Sequence, residues 1–322
     1  MRVMVAGATG FVGRKLVEVL NSHMKFTVVA GARKKNQHFD KSVETVEINC
    51  FDPNYIFGLE LNNIDVMIHA IGWAPIEKIC DDNSKSGTYA ANVDGTLNIA
   101  RQAAAAGLKR FIFISSVKVN GESSQLGKPF TEEDIPAPID SYGRSKLDTE
   151  RGLYEIGEET GMDIVCIRPP LVYGPGVKAN FLSMLKWLSR GIPLPLASIN
   201  NKRSFVGLDN LVDLIVTCID HPGAINQTFL AGDGNDLSTS ELLNSIAKAM
   251  DKKSRLIPVN QKLLGFILEL MGKKNLAQRI CGTLQVDISK AQKLLGWVPL
   301  TSVDKGLKQT TKCFIDTNIK TN

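Results

Sequence analysis

Histidine is scarce in this chain, four among 322 residues, and neither the histidines nor the six cysteines show the close spacings that bind metal. No metal is therefore assigned. The cysteines, at positions 50, 80, 166, 218, 281 and 313, lack dense pairing, and Cys50, Cys166 and Cys218 sit in apolar surroundings that mark reduced core residues. A cytoplasmic setting is expected. Long charge runs are missing too. The formal net charge is +5 with Lys and Arg scattered, which speaks against nucleic-acid or membrane-surface binding and leaves a small anionic substrate open. No apolar run approaches the roughly 20 residues that span a bilayer; the nearest, Leu263 to Met271, is short and carries Glu269. The first residues lack a charged segment followed by a cleavable apolar one, so no secretory leader is expected. What remains is 43% hydrophobic, enough for one large or two modest domains.

The apolar run Arg2 to Ala6 predicts a strand, Gly7-Ala8-Thr9-Gly10-Phe11-Val12-Gly13 a tight turn, and Leu16, Val17 and Leu20 one face of a helix. Glycines let the backbone approach a pyrophosphate, and a helix N-terminus supplies free N–H groups. The spacing is GxxGxxG, and a plain βα connection is the simpler alternative. A second strand, Thr27 to Ala30, leads to Arg33-Lys34-Lys35 with no Asp or Glu, where a dinucleotide fold meets the adenosine ribose. An acidic residue there accepts the 2′-hydroxyl of NAD, whereas a guanidinium pairs with the 2′-phosphate of NADP. Arg33 thus tilts the reading towards NADP, with a solvated basic turn as the alternative. Val43 to Ile48 predicts a third strand ending near Asp52, either an acceptor for the adenine amino group or a turn residue before Pro53. His69 ends the apolar strand Asp65 to Ala70 and reads as structural.

A helix is expected over Asn92 to Ala106. Phe111 to Ile114 then predicts a buried strand that delivers Ser115 and Ser116 to its carboxyl end, where ligands sit in open α/β sheets. Within Ser141-Tyr142-Gly143-Arg144-Ser145-Lys146, the tyrosine and lysine are four apart and share one helix face. An ammonium beside a phenol favours phenolate and draws its pKa, ordinarily about 10, towards working range. Alone, such a pair also arises by chance on a solvated helix. After the strand Ile164 to Ile167 and Arg168-Pro169-Pro170 the chain becomes loop-rich, with a helix over Phe181 to Ser189, a strand over Arg203 to Val206, Asp209 as a helix cap, and later helices over Ser240 to Met250 and Gln261 to Met271.

Taken together, Gly7-x-x-Gly10-x-x-Gly13, Asn92-Val93-x-Gly95-Thr96, Ser115-Ser116, Tyr142-x-x-x-Lys146, Arg168-Pro169 and the carboxyl-terminal Ser289-Lys290-Ala291 with Leu295-Gly296-Trp297-x-Pro299 resemble the extended short-chain dehydrogenase/reductase family. The closer likeness is to its NAD-dependent epimerase/dehydratase branch, in particular bacterial nucleotide-sugar 4-epimerases and 4-ketosugar reductases. This implies an α/β fold: a Rossmann-type doubly wound parallel sheet over residues 1–170, then a smaller mixed substrate-binding region, 171–322, with some chain returning to the sheet.

The same likeness implies a nicotinamide dinucleotide, NADP or NAD, held by Gly7, Thr9, Gly10, Phe11, Val12, Gly13, Arg33, Asp52, Ala70, Asn92, Ser115 and Pro169. Ser116, Tyr142 and Lys146 would be catalytic, and Lys118, Asn180, Arg203 and Arg279 would hold a nucleotide-diphosphate sugar of the UDP-hexose or UDP-N-acetylhexosamine class. Helices from Asn92 and Tyr142 would form a homodimer. The expected reaction is epimerisation by hydride transfer at sugar C4, with NADPH-dependent reduction of a 4-keto sugar as the alternative. A 4,6-dehydratase is disfavoured, because the places that carry Asp-Glu in family dehydratases hold Val117 and Lys118. A cofactor-sensing regulator is disfavoured by the intact Tyr142 and Lys146. The segment Gly72 to Ser86 matches no pattern, so sugar identity stays open.

Overall fold

The apolar run at the amino terminus is β1 (Arg2–Ala6), and its side chains alternate between two separate cores. Val3 and Val5 enter one, Met4 and Ala6 the other, which is why the run has no polar face. The computed structural model describes residues 1–34, 39–49, 52, 54–72 and 82–320. Readings placed on Lys35, Cys50 and most of the unmatched segment after Gly72 lie outside the described residues. From β1 the chain runs through α1 (Phe11–Ser22), β2 (Thr27–Ala32), β3 (Glu44–Glu47), β4 (Val66–His69), α2 (Asp82–Ala105), β5 (Arg110–Ile114), α3 (Ser141–Thr160) and β6 (Asp163–Arg168). It continues through β7 (Leu171–Tyr173), α4 (Ala179–Ser189), β8 (Phe205–Gly207), α5 (Leu208–Thr217), β9 (Gln227–Leu230), α6 (Thr239–Ala249), α7 (Gln261–Leu270), α8 (Lys274–Cys281), α9 (Ser289–Leu295) and α10 (Val303–Lys320).

Seven parallel strands form one sheet in the order β3-β2-β1-β4-β5-β6-β9. The order reverses between β1 and β4, paired through Ala6 and His69. In a doubly wound sheet a ligand crevice opens outside the carboxyl ends at such a reversal. On one face Leu16, Val17 and Leu20 of α1 pack with Leu211 and Ile215 of α5; on the other, Ile99 and Ala103 of α2 pack with Leu153 and Ile156 of α3. Strand β9 brings the chain back to the sheet beside β6, with Cys166 opposite Thr228. Cys166 and Cys218 are buried free thiols. Strands β7 and β8 make a separate parallel pair. Beyond it Phe181 and Leu185 of α4, Leu242 and Ile246 of α6, Leu264 of α7 and Leu307 of α10 form a third core.

Three local readings change. Helix α2 begins at Asp82, ten residues before Asn92; Gly87, a poor helix former, conceals that start, and α2 packs on α3. Asp209 does not cap α5. Gly207 occupies the cap position and Asp209 lies in the first turn, where its carboxylate meets the Lys15 ammonium at 3.6 Å. Arg203 and Ser204 precede β8, and Arg203 makes only isolated bridges, to Leu237 and Leu284.

Candidate active site

The turn between β1 and α1 builds the first wall. Gly7 adopts φ +86°, a conformation that L side chains rarely hold, and its carbonyl accepts the Gly10 N–H at 2.9 Å. A Cβ on Gly13 would stand 2.1 Å from that carbonyl oxygen, so only glycine lets α1 start this close to the turn. Gly10 offers no side chain to cap α1, which leaves the first N–H groups, those of Phe11 and Val12, available to an anion. A cleft of about 200 Å³ runs past Gly7, Thr9, Gly10, Arg33 and Ala70. It is also lined by Gly31, Ala32, Ile48, Ile71 and Gly72, which sequence reasoning did not name. A Cβ on Gly31 would lie 2.4 Å from Ile48 Cδ1, a crowding that only the fold reveals. The glycine cradle, the uncapped helix start and the cleft together fit a dinucleotide. Asp52 Oδ1 accepts the Asn54 N–H at 2.9 Å, the bond that its turn reading calls for.

The second wall is the carboxyl ends of β4 and β5. Lys146 is buried, and its ammonium donates to Ile114 O at 2.8 Å and Ile71 O at 3.4 Å, joining the ends of both strands to α3. It also lies over the Phe113 ring, 4.4 Å from the centroid. Tyr142 enters from the first turn of α3, which Asp140 caps by accepting the Gly143 N–H at 2.7 Å. A Cβ on Gly72 would meet Lys146 Nζ at 3.2 Å and the Tyr142 hydroxyl at 3.8 Å, so both groups converge on the mouth of the glycine-lined cleft. Ser116 caps a single 3₁₀ turn, accepting the Lys118 N–H at 3.2 Å with its own O–H left to donate. Ser115 Oγ is buried without a hydrogen-bond partner among the described residues. Asn92 is nearly buried on α2, and Pro169 O accepts the Val117 N–H at 3.0 Å.

The electrostatics differ from the sequence expectation. Burial pushes the Tyr142 phenol up to about 12, and the Asp140 carboxylate adds to the rise. Burial likewise pushes Lys146 down to about 8 against the opposing charge of Glu150. Burial and Asp140 act in the same direction on the phenol, and the Lys146 ammonium is not among the causes. The reason is geometric: Lys146 aims its donors at backbone carbonyls and sits 5.8 Å from the Tyr142 ring centroid. One turn further along α3, buried Glu150 receives the Arg168 guanidinium, Nη2 at 2.6 Å and Nε at 3.0 Å, while Arg168 Nη1 reaches Asn120 Oδ1 at 3.1 Å. His69 is a neutral filler between Phe111 and Phe113, held down to about 3 by burial and by Lys146.

The remaining candidates lie on other elements. Lys118 pairs with Glu122 at 2.9 Å and with Asp140, so two carboxylates neutralise it. Arg203 is half-buried and donates to Gly282 O at 3.0 Å. Burial holds it below the usual guanidinium range; Glu122 opposes this and Arg279 on α8 reinforces it, which places the two arginines near each other. Asn180 is exposed in the first turn of α4.

Residues 3–232 match the model of the NAD dependent epimerase/dehydratase family. The chain belongs to this family. A UDP-glucose 4-epimerase of Vibrio cholerae is 43% identical over 98% of this chain and 96% of its own length. An Escherichia coli N-acetyl-alpha-D-glucosaminyl-diphospho-ditrans,octacis-undecaprenol 4-epimerase is 26% identical over 96% of this chain and 93% of its own. Among solved structures, the Bacillus cereus UDP-glucuronic acid 4-epimerase in complex with NAD aligns with TM-score 0.80 at 20% identity, covering 98% of this chain and 99% of that one. The Thermotoga maritima UDP-glucose 4-epimerase with UDP-glucose gives 0.78 at 22%, covering 99% and 100%. These structural likenesses establish the fold of this epimerase/dehydratase family member. Among its described residues no helix is long and apolar enough to cross a membrane.

Proposed function

We propose that this protein is a UDP-hexose or UDP-N-acetylhexosamine 4-epimerase that works by hydride transfer at sugar C4. The observation that carries the reading is the convergence of the Tyr142 hydroxyl and the Lys146 ammonium on Gly72, at the mouth of the glycine-lined cleft. Full-length likeness to the Vibrio cholerae enzyme supports the choice of reaction. The glycine turn and the start of α1 would hold the cofactor pyrophosphate, and Ser115 and Lys146 would face its nicotinamide end. The nicotinamide dinucleotide supplies a reversible hydride acceptor and, when oxidised, a positive charge beside the phenol. Tyr142 takes the C4 hydroxyl proton and later returns it; Ser116, with its O–H free to donate, orients the same oxygen. Lys146, already joined to the ends of β4 and β5, stabilises the phenolate as it forms. Arg203 and Arg279 suit the sugar diphosphate, a group shared by the UDP-linked substrates and the undecaprenol-linked substrate that the relatives' names give. Asn180, exposed in the first turn of α4, would donate to the same diphosphate. Residues from 171 onward form the substrate side, and α2 with α3 the face of a homodimer.

A dehydratase would need a carboxylic acid directly after Ser116. Val117 is buried there, and Lys118 is committed to Glu122 and Asp140. The reductase reading draws on one observation, Arg33 lining the cleft where an acidic residue would favour NAD. Conversion of UDP-glucose to UDP-galactose, and of the N-acetylated pair, tests the proposal together with identification of any cofactor released on denaturation. Turnover without added cofactor and release of NAD is the expected result. An empty protein that only consumes NADPH with a 4-keto sugar would establish the reductase instead. Tyr142→Phe should lower turnover by about 10² to 10⁴ while cofactor binding persists, and unchanged turnover would remove the tyrosine from the mechanism.

A further inference from the structure

Helix α7 is apolar on two faces. Leu264 and Leu268 face the third core, as a surface helix requires. Leu263, Phe266, Ile267 and Leu270, spaced i, i+3, i+4 and i+7, form a second stripe that is 53%, 59%, 42% and 71% exposed. The stripe runs on into Met271, 59% exposed, and Leu276 at the start of α8. Gly272, at φ +71°, lies between the two helices, which pack on each other. Contiguous exposed apolar side chains of this kind mark an interaction surface.

Charge indicates the occupant. Lys262, Lys273 and Lys274 are exposed around the stripe, against one carboxylate, Glu269. A second copy seated on this face would set those ammonium groups against their own kind, whereas anionic headgroups would neutralise them. An interfacial helix needs this pattern, an apolar stripe bordered by lysines, and needs no span. We infer that the α7–α8 face docks the protein on the surface of an anionic lipid bilayer. The stripe inserts at the boundary between headgroups and acyl chains, and Lys262, Lys273 and Lys274 lie among the phosphates. Arg279 sits on α8, so the proposed diphosphate site lies within one helix of the headgroups. Only that last consequence rests on the functional reading; docking itself stands without it. The sequence-based expectation of no surface binding weighed charge runs alone, and the exposure of the stripe is what departs from it.

Co-sedimentation of the full chain with phosphatidylglycerol/phosphatidylcholine vesicles, beside phosphatidylcholine vesicles, tests the inference. The protein should pellet with the anionic vesicles only, and less so at high salt. Phe266→Ser with Leu270→Ser should weaken this binding about tenfold or more, since two inserted side chains are lost. Lys273→Glu with Lys274→Glu should weaken it by a similar factor. Both pairs should keep the turnover of soluble UDP-sugar shown by the unsubstituted protein. Recovery no greater than in vesicle-free controls would overturn the inference, as would binding that neither pair alters. Loss of a dimer by the serine pair, without vesicle binding in the parent, would assign the face to self-association and overturn it equally. Vesicle binding by a protein inactive on every UDP-sugar would refute the functional reading and leave docking intact.

Discussion

Replacing Lys146 by Met measures what burying this ammonium costs the fold. Burial lowers its pKa from 10.5 to about 8, so the folded state releases this proton more readily than the unfolded chain does. The destabilisation is complete below the folded value and fades as pH rises from about 8 towards 10.5. At about pH 7 it amounts to roughly 3 kcal/mol, and at about pH 10 to under 1 kcal/mol. Lys146→Met removes this term but also strips Ile114 O of its donor, a loss of about 1 to 3 kcal/mol that does not depend on pH. The absolute stability of the variant therefore blends two opposed effects, while the pH dependence isolates one. Urea unfolding of both proteins between about pH 7 and pH 10 should show the natural protein gaining about 2 to 3 kcal/mol relative to the variant. Groups that titrate alike in both cancel, and His69 is neutral throughout. A difference that stays constant across this range would refute the desolvated, charged Lys146 on which the argument rests.

Further substitutions probe the scaffold. Glu150→Leu leaves the buried Arg168 guanidinium uncompensated and should destabilise the fold by about 3 to 5 kcal/mol, whereas pairing it with Arg168→Met should recover most of that loss in thermal unfolding. Failure of the double variant to recover would mean that the pair does more than neutralise itself. Gly13→Ala forces a methyl group against Gly7 O and should abolish nicotinamide-dinucleotide binding in calorimetry; an alanine variant that binds normally would refute the cradle. Arg33→Asp tests whether this side chain discriminates the cofactors: if it does, NADPH binding should weaken relative to NADH by roughly tenfold or more, and equal losses for both would show that it does not.

Much of the scaffold was legible because its causes are local. Apolar runs too short for helices, buried on both faces, read directly as parallel strands, and Tyr142 and Lys146 share a helix face whatever the rest of the chain does. The glycine turn was equally plain, since a positive φ at Gly7 and the crowding at Gly13 leave no other residue. Only tertiary structure could show that Ile48 and Gly72, from distant strands, line the cleft. It also set the Tyr142 phenol above its ordinary range, because desolvation depends on everything packed around the phenol and the nearest charge acting on it is the Asp140 carboxylate. The pairing of Glu150 with Arg168 joins residues 18 apart on a helix and a strand, and no spacing rule announces it. Leu263 to Met271 illustrates the same division. Sequence alone determined that the segment is apolar and too short to span a bilayer, and the fold decided which of its leucines face the core and which face solvent.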